Sequence, residues 1–152
     1  AGEPQKADER NARADGNKTS ASALDGIALA LPALMRAEKL QKRAARVGFD
    51  WHDMAPVVEK IAEELAEVAE AGADGAQNEK LSLECGDLLF ACVNLVRHMG
   101  IDAESALRQA NAKFDRRFRR LESLVRDENR KPEQMSLAAL EQIWQRVKKE
   151  QD

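Results

Sequence analysis

The sequence contains few cysteine and aromatic residues. Its 152 residues include two cysteines, no tyrosine and 4% aromatic side chains. β-Sheets rely on aromatic and β-branched residues, so this composition favours helices. Cys85 and Cys92 would lie about 10 Å apart on one helix, which is beyond the reach of a disulfide bond. We therefore predict an all-α protein with reduced thiols, located in the cytoplasm.

Long apolar runs and a strong net charge are also missing. No run approaches the ~20 residues that a membrane helix needs, and the chain does not open with a signal-peptide pattern. The formal net charge is −3, whereas domains that coat nucleic acid are usually strongly basic. The sequence therefore predicts no membrane span, and it makes nucleic acid an unexpected partner.

The first 25 residues differ in composition from the rest of the chain. Leu24 is their only large apolar side chain, so they cannot bury enough surface to offset the entropy of ordering. We predict a disordered linker or tail over residues 1–25 and a single domain over residues 26–152. The chain begins with Ala1 rather than Met, as an excised piece of a longer protein would.

From residue 26 onward the apolar residues recur with helical periodicity. The sequence predicts a bundle of four to five helices with no strand. Helix start and stop signals set the expected bounds. The first helix is predicted over 32–46 and is stopped by Gly48, and the second runs from 55–56 to before Gly72, with Val58, Ile61, Leu65 and Val68 on its buried face. A loop over 71–78 leads to a third helix over 79–98, which is stopped by Gly100. Asp102 caps a fourth helix that reaches 126, and Ser136 caps the last one.

The third predicted helix carries two acids in an otherwise apolar stretch. Glu84 and Asp87 are the only charged residues between Leu81 and Val96. At a spacing of three residues they share one helical face. Because such a helix is expected inside the bundle, two like charges there would need a positive partner.

The second predicted helix supplies further carboxylates, namely Glu63, Glu64 and Glu67. If the second and third helices pack antiparallel, Glu64 and Glu67 face the acids of the third helix. Ligation by oxygen alone selects a hard cation, Mg²⁺ first and Mn²⁺ as its substitute. A solvated acidic face remains the alternative. A di-iron site would need Glu-x-x-His pairs, which the chain lacks.

A basic face follows on the fourth predicted helix. Lys113, Arg117 and Arg120 recur at i, i+4 and i+7, and Arg116 and Arg119 lie beside them. A solvated charged edge is one interpretation. The other is a phosphate-binding surface, because Arg donates in pairs to phosphate oxygens. Carboxylates that hold a metal, opposite Lys and Arg, suit a polyphosphate substrate.

The order of these motifs resembles that of a known family, the all-α nucleoside triphosphate pyrophosphohydrolases. The signature Glu63-Glu64-x-x-Glu67 is followed by Glu84-x-x-Asp87. Further blocks are similar to the MazG branch over roughly residues 26–150. They are residues 31–37 (LPALMRA), 41–44 (QKRA), 47–51 (VGFDW), 86–91 (GDLLFA) and 110–118 (ANAKFDRRF).

The resemblance implies Mg²⁺-dependent hydrolysis of nucleoside triphosphates to the monophosphate and pyrophosphate, in a homodimer of helical subunits. It also implies that the chain corresponds to the C-terminal of two tandem domains, preceded by its linker. Glu63 or Glu67 would orient or deprotonate the attacking water. By position, Glu64, Glu67, Glu84 and Asp87 would hold the metal, and Lys60, Lys80, Lys113, Arg117 and Trp144 would contact the nucleotide.

Other functions stay open at this point. Within the superfamily, the chain could be specific for dUTP or dCTP, or act on phosphoribosyl-ATP. Outside it, a non-enzymatic helical module could bind RNA or a protein through the basic face. A dimer is also expected on physical grounds, because the third and fourth predicted helices carry more apolar surface than a small helical monomer would cover.

Overall fold

The computed structural model describes residues 21–73 and 79–151, and within these ranges the chain forms helices and no strand. This confirms the predicted all-α class. None of the described helices is both long enough and apolar enough to cross a membrane. The elements are α1 (Ala33–Arg46), α2 (Met54–Ala73), α3 (Glu79–His98), α4 (Ala103–Asp127), a 3-10 turn (Pro132–Gln134) and α5 (Leu137–Gln151).

Local backbone chemistry sets the helix ends where the sequence predicted them. Gly48 and Gly100 follow α1 and α3 with φ values of 90° and 72°, a conformation that glycine adopts without steric cost. The side chains of Asp102 and Ser136 accept backbone N–H bonds from three residues ahead, at 2.7 and 3.2 Å. These bonds satisfy N–H groups that the first turn of a helix leaves unpaired.

The helices pack in two groups. α2 and α3 lie along each other as an antiparallel pair, and α1 packs against α3. α4 pairs with α5 and also contacts α1. The α4–α5 pair has its own apolar core, formed by Leu121, Val125, Ile143 and Val147.

The buried face of α2 differs from the predicted one. We expected Val58, Ile61, Leu65 and Val68 to point inward, but Val58 and Leu65 are 50% and 56% exposed, and Ile61 and Val68 are only half-buried. Val57 and Ala71 are 1% exposed instead, and Glu64 lies between them on the same face and is also buried. The prediction was wrong because it searched for an apolar stripe, whereas the inward face of α2 includes a carboxylate.

Apolar side chains remain exposed on three successive helices. α3 was expected inside the bundle, yet Leu83 and Leu89 are 62% and 60% exposed in the single chain. Residues 107–116 of α4 are exposed throughout, including the aromatic ring of Phe114. Together with Val58 and Leu65 on α2, these side chains leave a large apolar area in contact with solvent.

Two predicted segments fall partly outside the described residues. Of the predicted tail, residues 1–20 lie outside them. Residues 22–25 form a turn, whose Ala23 and Asp25 carbonyls accept hydrogen bonds from Arg43 on α1 at 3.1 and 3.2 Å. Of the predicted loop over 71–78, residues 71–73 belong to α2 and residues 74–78 lie outside the described ranges.

Candidate active site

Three carboxylates meet between α2 and α3. One oxygen each from Glu64, Glu84 and Asp87 lies within 4.8 Å of the others. Glu64 is buried, Glu84 is half-buried and Asp87 is exposed. The antiparallel packing of α2 on α3 therefore brings these side chains together as the sequence suggested. We call these three residues, with Glu67, the acid cluster.

Glu67 is not one of the three acids that meet within 4.8 Å, but it lies close enough to Glu64 and Glu84 for their charges to act on its carboxyl. Partial burial and the negative charges of Glu64 and Glu84 raise the pKa of the Glu67 carboxyl above its ordinary value. At neutral pH the four acids therefore repel one another unless a cation lies between them.

Lys60 supplies part of that positive charge. Its Nζ lies 2.6 Å from Glu64 Oε1 and 3.2 Å from Glu63 Oε2, and these hydrogen bonds raise the pKa of the ammonium group. Glu63 is more than half exposed and contacts Lys60 rather than the acid cluster. Both residues were predicted at the site, and the structure places both at its edge.

A second oxygen of Glu64 has no partner. Oε2 is buried and makes no hydrogen bond within the described residues. A buried carboxylate oxygen left in this state is costly. Glu64 lies with Glu84 and Asp87, which offer only oxygen ligands, the set that a hard divalent cation prefers. The side chains present therefore fit a divalent metal ion.

The repulsion within the acid cluster predicts a measurable effect on stability. The pKa of Glu67 is raised above 4.5 in the folded chain, so the folded chain binds the proton of this carboxyl more tightly than the unfolded chain does. The resulting stabilisation is fully present below pH 4.5, and it is lost as the pH rises through the raised pKa. In a chelating buffer at about pH 7.5, Glu67→Gln should therefore melt at a higher temperature than the original chain.

The melting temperatures should converge as the pH falls well below 4.5, because Glu67 then carries its proton in both the folded and the unfolded chain. Differential scanning calorimetry gives the comparison. Glu70→Gln, one helical turn further along α2 and exposed, is the matched control and should show no such difference. Equal melting of Glu67→Gln and the original chain at neutral pH would contradict the proposed repulsion.

A cavity of about 450 Å³ opens beside the acid cluster. Glu64, Asp87 and Lys60 form part of its wall. Most of the remaining wall is apolar or aromatic, and this size suits a small organic ligand. The apolar and aromatic wall includes Leu24, Leu40, Phe49, Trp51, Val57 and Phe90.

Four polar side chains form a hydrogen-bond network at the cavity. Asp50 Oδ1 accepts from Arg97 at 2.7 Å and from His98 Nε2 at 2.9 Å. Arg97 also donates twice to Asn94 Oδ1, at 3.1 and 2.7 Å. The hydrogen bond from Arg97 is the main reason that the pKa of Asp50 is lowered. The network therefore holds Asn94 and Arg97 in fixed positions on the cavity wall.

The predicted cations of α3 and α4 do not line the cavity. Lys80 and Lys113 are exposed, and Arg117 is half-buried. Trp144 on α5 packs against Phe114, with ring centroids 5.5 Å apart. Among the described residues, neither α4 nor α5 contributes to the cavity wall or to the acid cluster. Lys113, Arg117 and Trp144 therefore lie outside the cavity wall, whereas Lys80 precedes Glu84 by one helical turn on α3.

Sequence reasoning missed the polar residues of the cavity, above all Gln41 and Asn94. Asn94 is the one polar residue in the stretch 88–96, which is otherwise apolar. The argument that selected Glu84 and Asp87 would have selected it too. Gln41 gives no comparable signal, because α1 carries many polar residues.

Comparison with known proteins identifies the part of the chain that contains the acid cluster. Residues 54–121 match the family described as "MazG nucleotide pyrophosphohydrolase domain". The chain is 50% identical over 135 residues to the "Nucleoside triphosphate pyrophosphohydrolase" of Escherichia coli (strain K12), covering 88% of this chain and 51% of that protein. It is 40% identical over 131 residues to the "Nucleoside triphosphate pyrophosphohydrolase/pyrophosphatase MazG" of Thermotoga maritima, covering 86% and 50%.

A more distant relative is the "Uncharacterized protein YabN" of Bacillus subtilis, 39% identical over 136 residues, which are 90% of this chain and 28% of that protein. The chain spans about half the length of the first two relatives. The matched segment, residues 54–121, holds all four acids of the cluster. The chain therefore contains a MazG nucleotide pyrophosphohydrolase domain.

Proposed function

We propose that the chain hydrolyses nucleoside triphosphates to the nucleoside monophosphate and pyrophosphate. The observation that carries this proposal is the meeting of Glu64, Glu84 and Asp87 within 4.8 Å beside a cavity large enough for a nucleoside. The names of the Escherichia coli and Thermotoga maritima relatives support the same reaction. Carboxylates at one end and an apolar cavity at the other suit a substrate with a charged phosphate chain and a flat base.

Mg²⁺ is the cofactor that we propose, with Mn²⁺ as a substitute. Glu64, Glu67, Glu84 and Asp87 would hold the metal, because all four carry carboxylates and one oxygen of Glu64 is buried without a partner. When bound, such an ion offsets negative charge and lowers the pKa of the water that it coordinates.

The remaining polar residues act on the phosphates and the water. Lys60 is within hydrogen-bond distance of Glu63 and Glu64, so it can turn from the carboxylates to a phosphate oxygen when a cation neutralises them. Glu63 or Glu67 accepts the proton of the attacking water. Glu67 is the better placed of the two, because Glu63 is more than half exposed and contacts Lys60 instead.

We also propose a homodimer in which α4 of one chain covers the acid cluster of the other. The apolar side chains exposed on α2, α3 and α4 need a covering surface. Lys113, Arg117 and Trp144 on α4 and α5, with Lys80 on α3, would then contact the substrate from the partner's side or at the interface.

The free thiols of Cys85 and Cys92 support a reducing compartment, the cytoplasm.

The test separates the two phosphoanhydride bonds. The chain is incubated with Mg²⁺ and several ribo- and deoxynucleoside triphosphates, and the products are identified. We expect the monophosphate and pyrophosphate in equal amounts, because attack is expected at the α-phosphorus. Release of orthophosphate would contradict that position.

The same assay addresses the alternative functions. Hydrolysis confined to dUTP and dCTP would identify a base-specific enzyme, and hydrolysis confined to phosphoribosyl-ATP would identify a phosphoribosyl-ATP pyrophosphohydrolase, instead of an enzyme that accepts nucleoside triphosphates in general. Binding of RNA that weakens steeply with salt and does not depend on Mg²⁺, without turnover, would favour a non-enzymatic module.

A further inference from the structure

The cavity beside the acid cluster contains a buried amide with an unused acceptor. Gln41 is 7% exposed, and its Nε2 donates to the carbonyl oxygen of Phe90 at 2.9 Å. A carbonyl oxygen only accepts, so this bond fixes which end of the amide carries the oxygen. Gln41 Oε1 is buried and makes no hydrogen bond within the described residues.

A second amide on the same cavity wall is fixed with the opposite polarity. Asn94 is 7% exposed, and its Oδ1 accepts both hydrogen bonds from Arg97. Arg97 is itself held by Asp50. The oxygen of Asn94 is therefore occupied, and its Nδ2 is the end that remains to donate. The cavity thus presents one oriented acceptor and one oriented donor.

An unpaired buried acceptor costs free energy, so its persistence indicates a ligand with a matching donor. The four nucleobases each carry a donor and an acceptor side by side on one edge, and they are flat and apolar on their faces. The rings of Phe49, Trp51 and Phe90 on the cavity wall suit those faces. Sugars without a base offer hydroxyl groups but no such faces.

We propose that Gln41 Oε1 and Asn94 Nδ2 hydrogen-bond the edge of the nucleobase, with Asp50 and Arg97 acting as positioning residues for Asn94. The inference rests on the proposed function, because it places the phosphates of the same nucleotide at the acid cluster. Glu64 and Asp87 belong both to the cluster and to the cavity wall, so one ligand can contact both ends.

The test measures binding without turnover. Adenosine, cytidine, guanosine and uridine 5′-monophosphates, which are not hydrolysed, are titrated into the full chain in a buffer with Mg²⁺ by calorimetry, with ribose 5-phosphate as the ligand without a base. We expect Gln41→Met and Asn94→Leu each to weaken the binding of at least one base by about tenfold. Binding of ribose 5-phosphate should not change in either variant.

The control is Gln145→Met, which replaces an exposed glutamine whose amide contacts Glu141 on α5. Circular dichroism establishes that each variant is folded. If Gln41→Met does not fold, Asn94→Leu and the positioning variant Asp50→Asn carry the test, because loosening Arg97 should weaken base binding and spare ribose 5-phosphate. Unchanged binding of all four monophosphates in the folded variants would overturn the inference.

Pyrophosphate release is assayed on the same samples, so that the two proposals fail separately. A chain that binds monophosphates through Gln41 and Asn94 but releases no pyrophosphate would keep the base site and contradict the proposed reaction. A chain that releases pyrophosphate while the variants bind every monophosphate normally would keep the reaction and contradict the base site.

Discussion

Asp87→Asn is expected to lower pyrophosphate release by about 100-fold or more, since the charge offset that a metal site supplies is worth several kcal/mol. Asp87 is the exposed member of the acid cluster. Replacing its carboxylate by an amide of the same shape therefore costs the fold little. Far-UV circular dichroism and the melting temperature should stay close to those of the original chain.

The control for this variant is again Glu70→Gln, which removes one negative charge from an exposed position of α2. It should keep the full rate, since it lies outside the cluster. A second measurement follows the metal itself. Mg²⁺ should raise the melting temperature of the original chain and of Glu70→Gln, and should raise that of Asp87→Asn less. Full activity of Asp87→Asn would remove the carboxylate site from the proposal.

The ends of the helices could be predicted from the sequence because they depend on near neighbours in the chain. Gly48 and Gly100 end α1 and α3, and Asp102 and Ser136 cap α4 and α5, as expected. In each case the decisive hydrogen bonds join residues three to five positions apart. Such signals survive without any knowledge of tertiary packing.

The buried faces were harder to predict, because they depend on which elements meet. The side of α2 that contains Val57 and Glu64 packs inward, and the side that contains Val58 does not. Hydrophobic periodicity alone gives little weight to a buried glutamate. The meeting of Glu64 with Glu84 could still be inferred, because a short connection forces α2 and α3 to be antiparallel.

The cavity could not be predicted, because it is assembled from distant segments. Gln41 contacts the backbone of Phe90, which is 49 positions away, and Asp50 contacts Arg97 and His98 across a similar separation. No local pattern records these contacts. The positions of Lys113 and Arg117 illustrate the same limit, because the sequence does not record that α4 contributes no residue to the cavity wall.

A mixed dimer should show whether two chains share each site. Asp87→Asn removes an acid, and a double variant, Lys113→Ala with Arg117→Ala, removes the cations of α4. Each should be inactive as a homodimer. If the acids of one chain work with the α4 cations of the other, a mixed dimer contains one site with both defects and one intact site. The purified mixed dimer should then show roughly half of the original activity.

The result separates this arrangement from a site built within one chain. If acids and cations came from the same chain, every site of the mixed dimer would keep one defect and no activity would return. Co-expressed chains with different affinity tags, purified over both tags, supply the mixed species, and light scattering establishes that it is a dimer.

Two controls make the outcome specific to α4. Asp87→Asn mixed with Glu84→Gln should stay inactive in either arrangement, because both acids belong to α3 of the same chain. Arg116→Ala changes an exposed cation next to Arg117, and its homodimer should be active without being mixed with another variant. If activity returns when Asp87→Asn is mixed with the double variant, but not when it is mixed with Glu84→Gln, then α4 of one chain reaches the acids of the other. The exposed apolar side chains of α2, α3 and α4 would then form the surface between the chains.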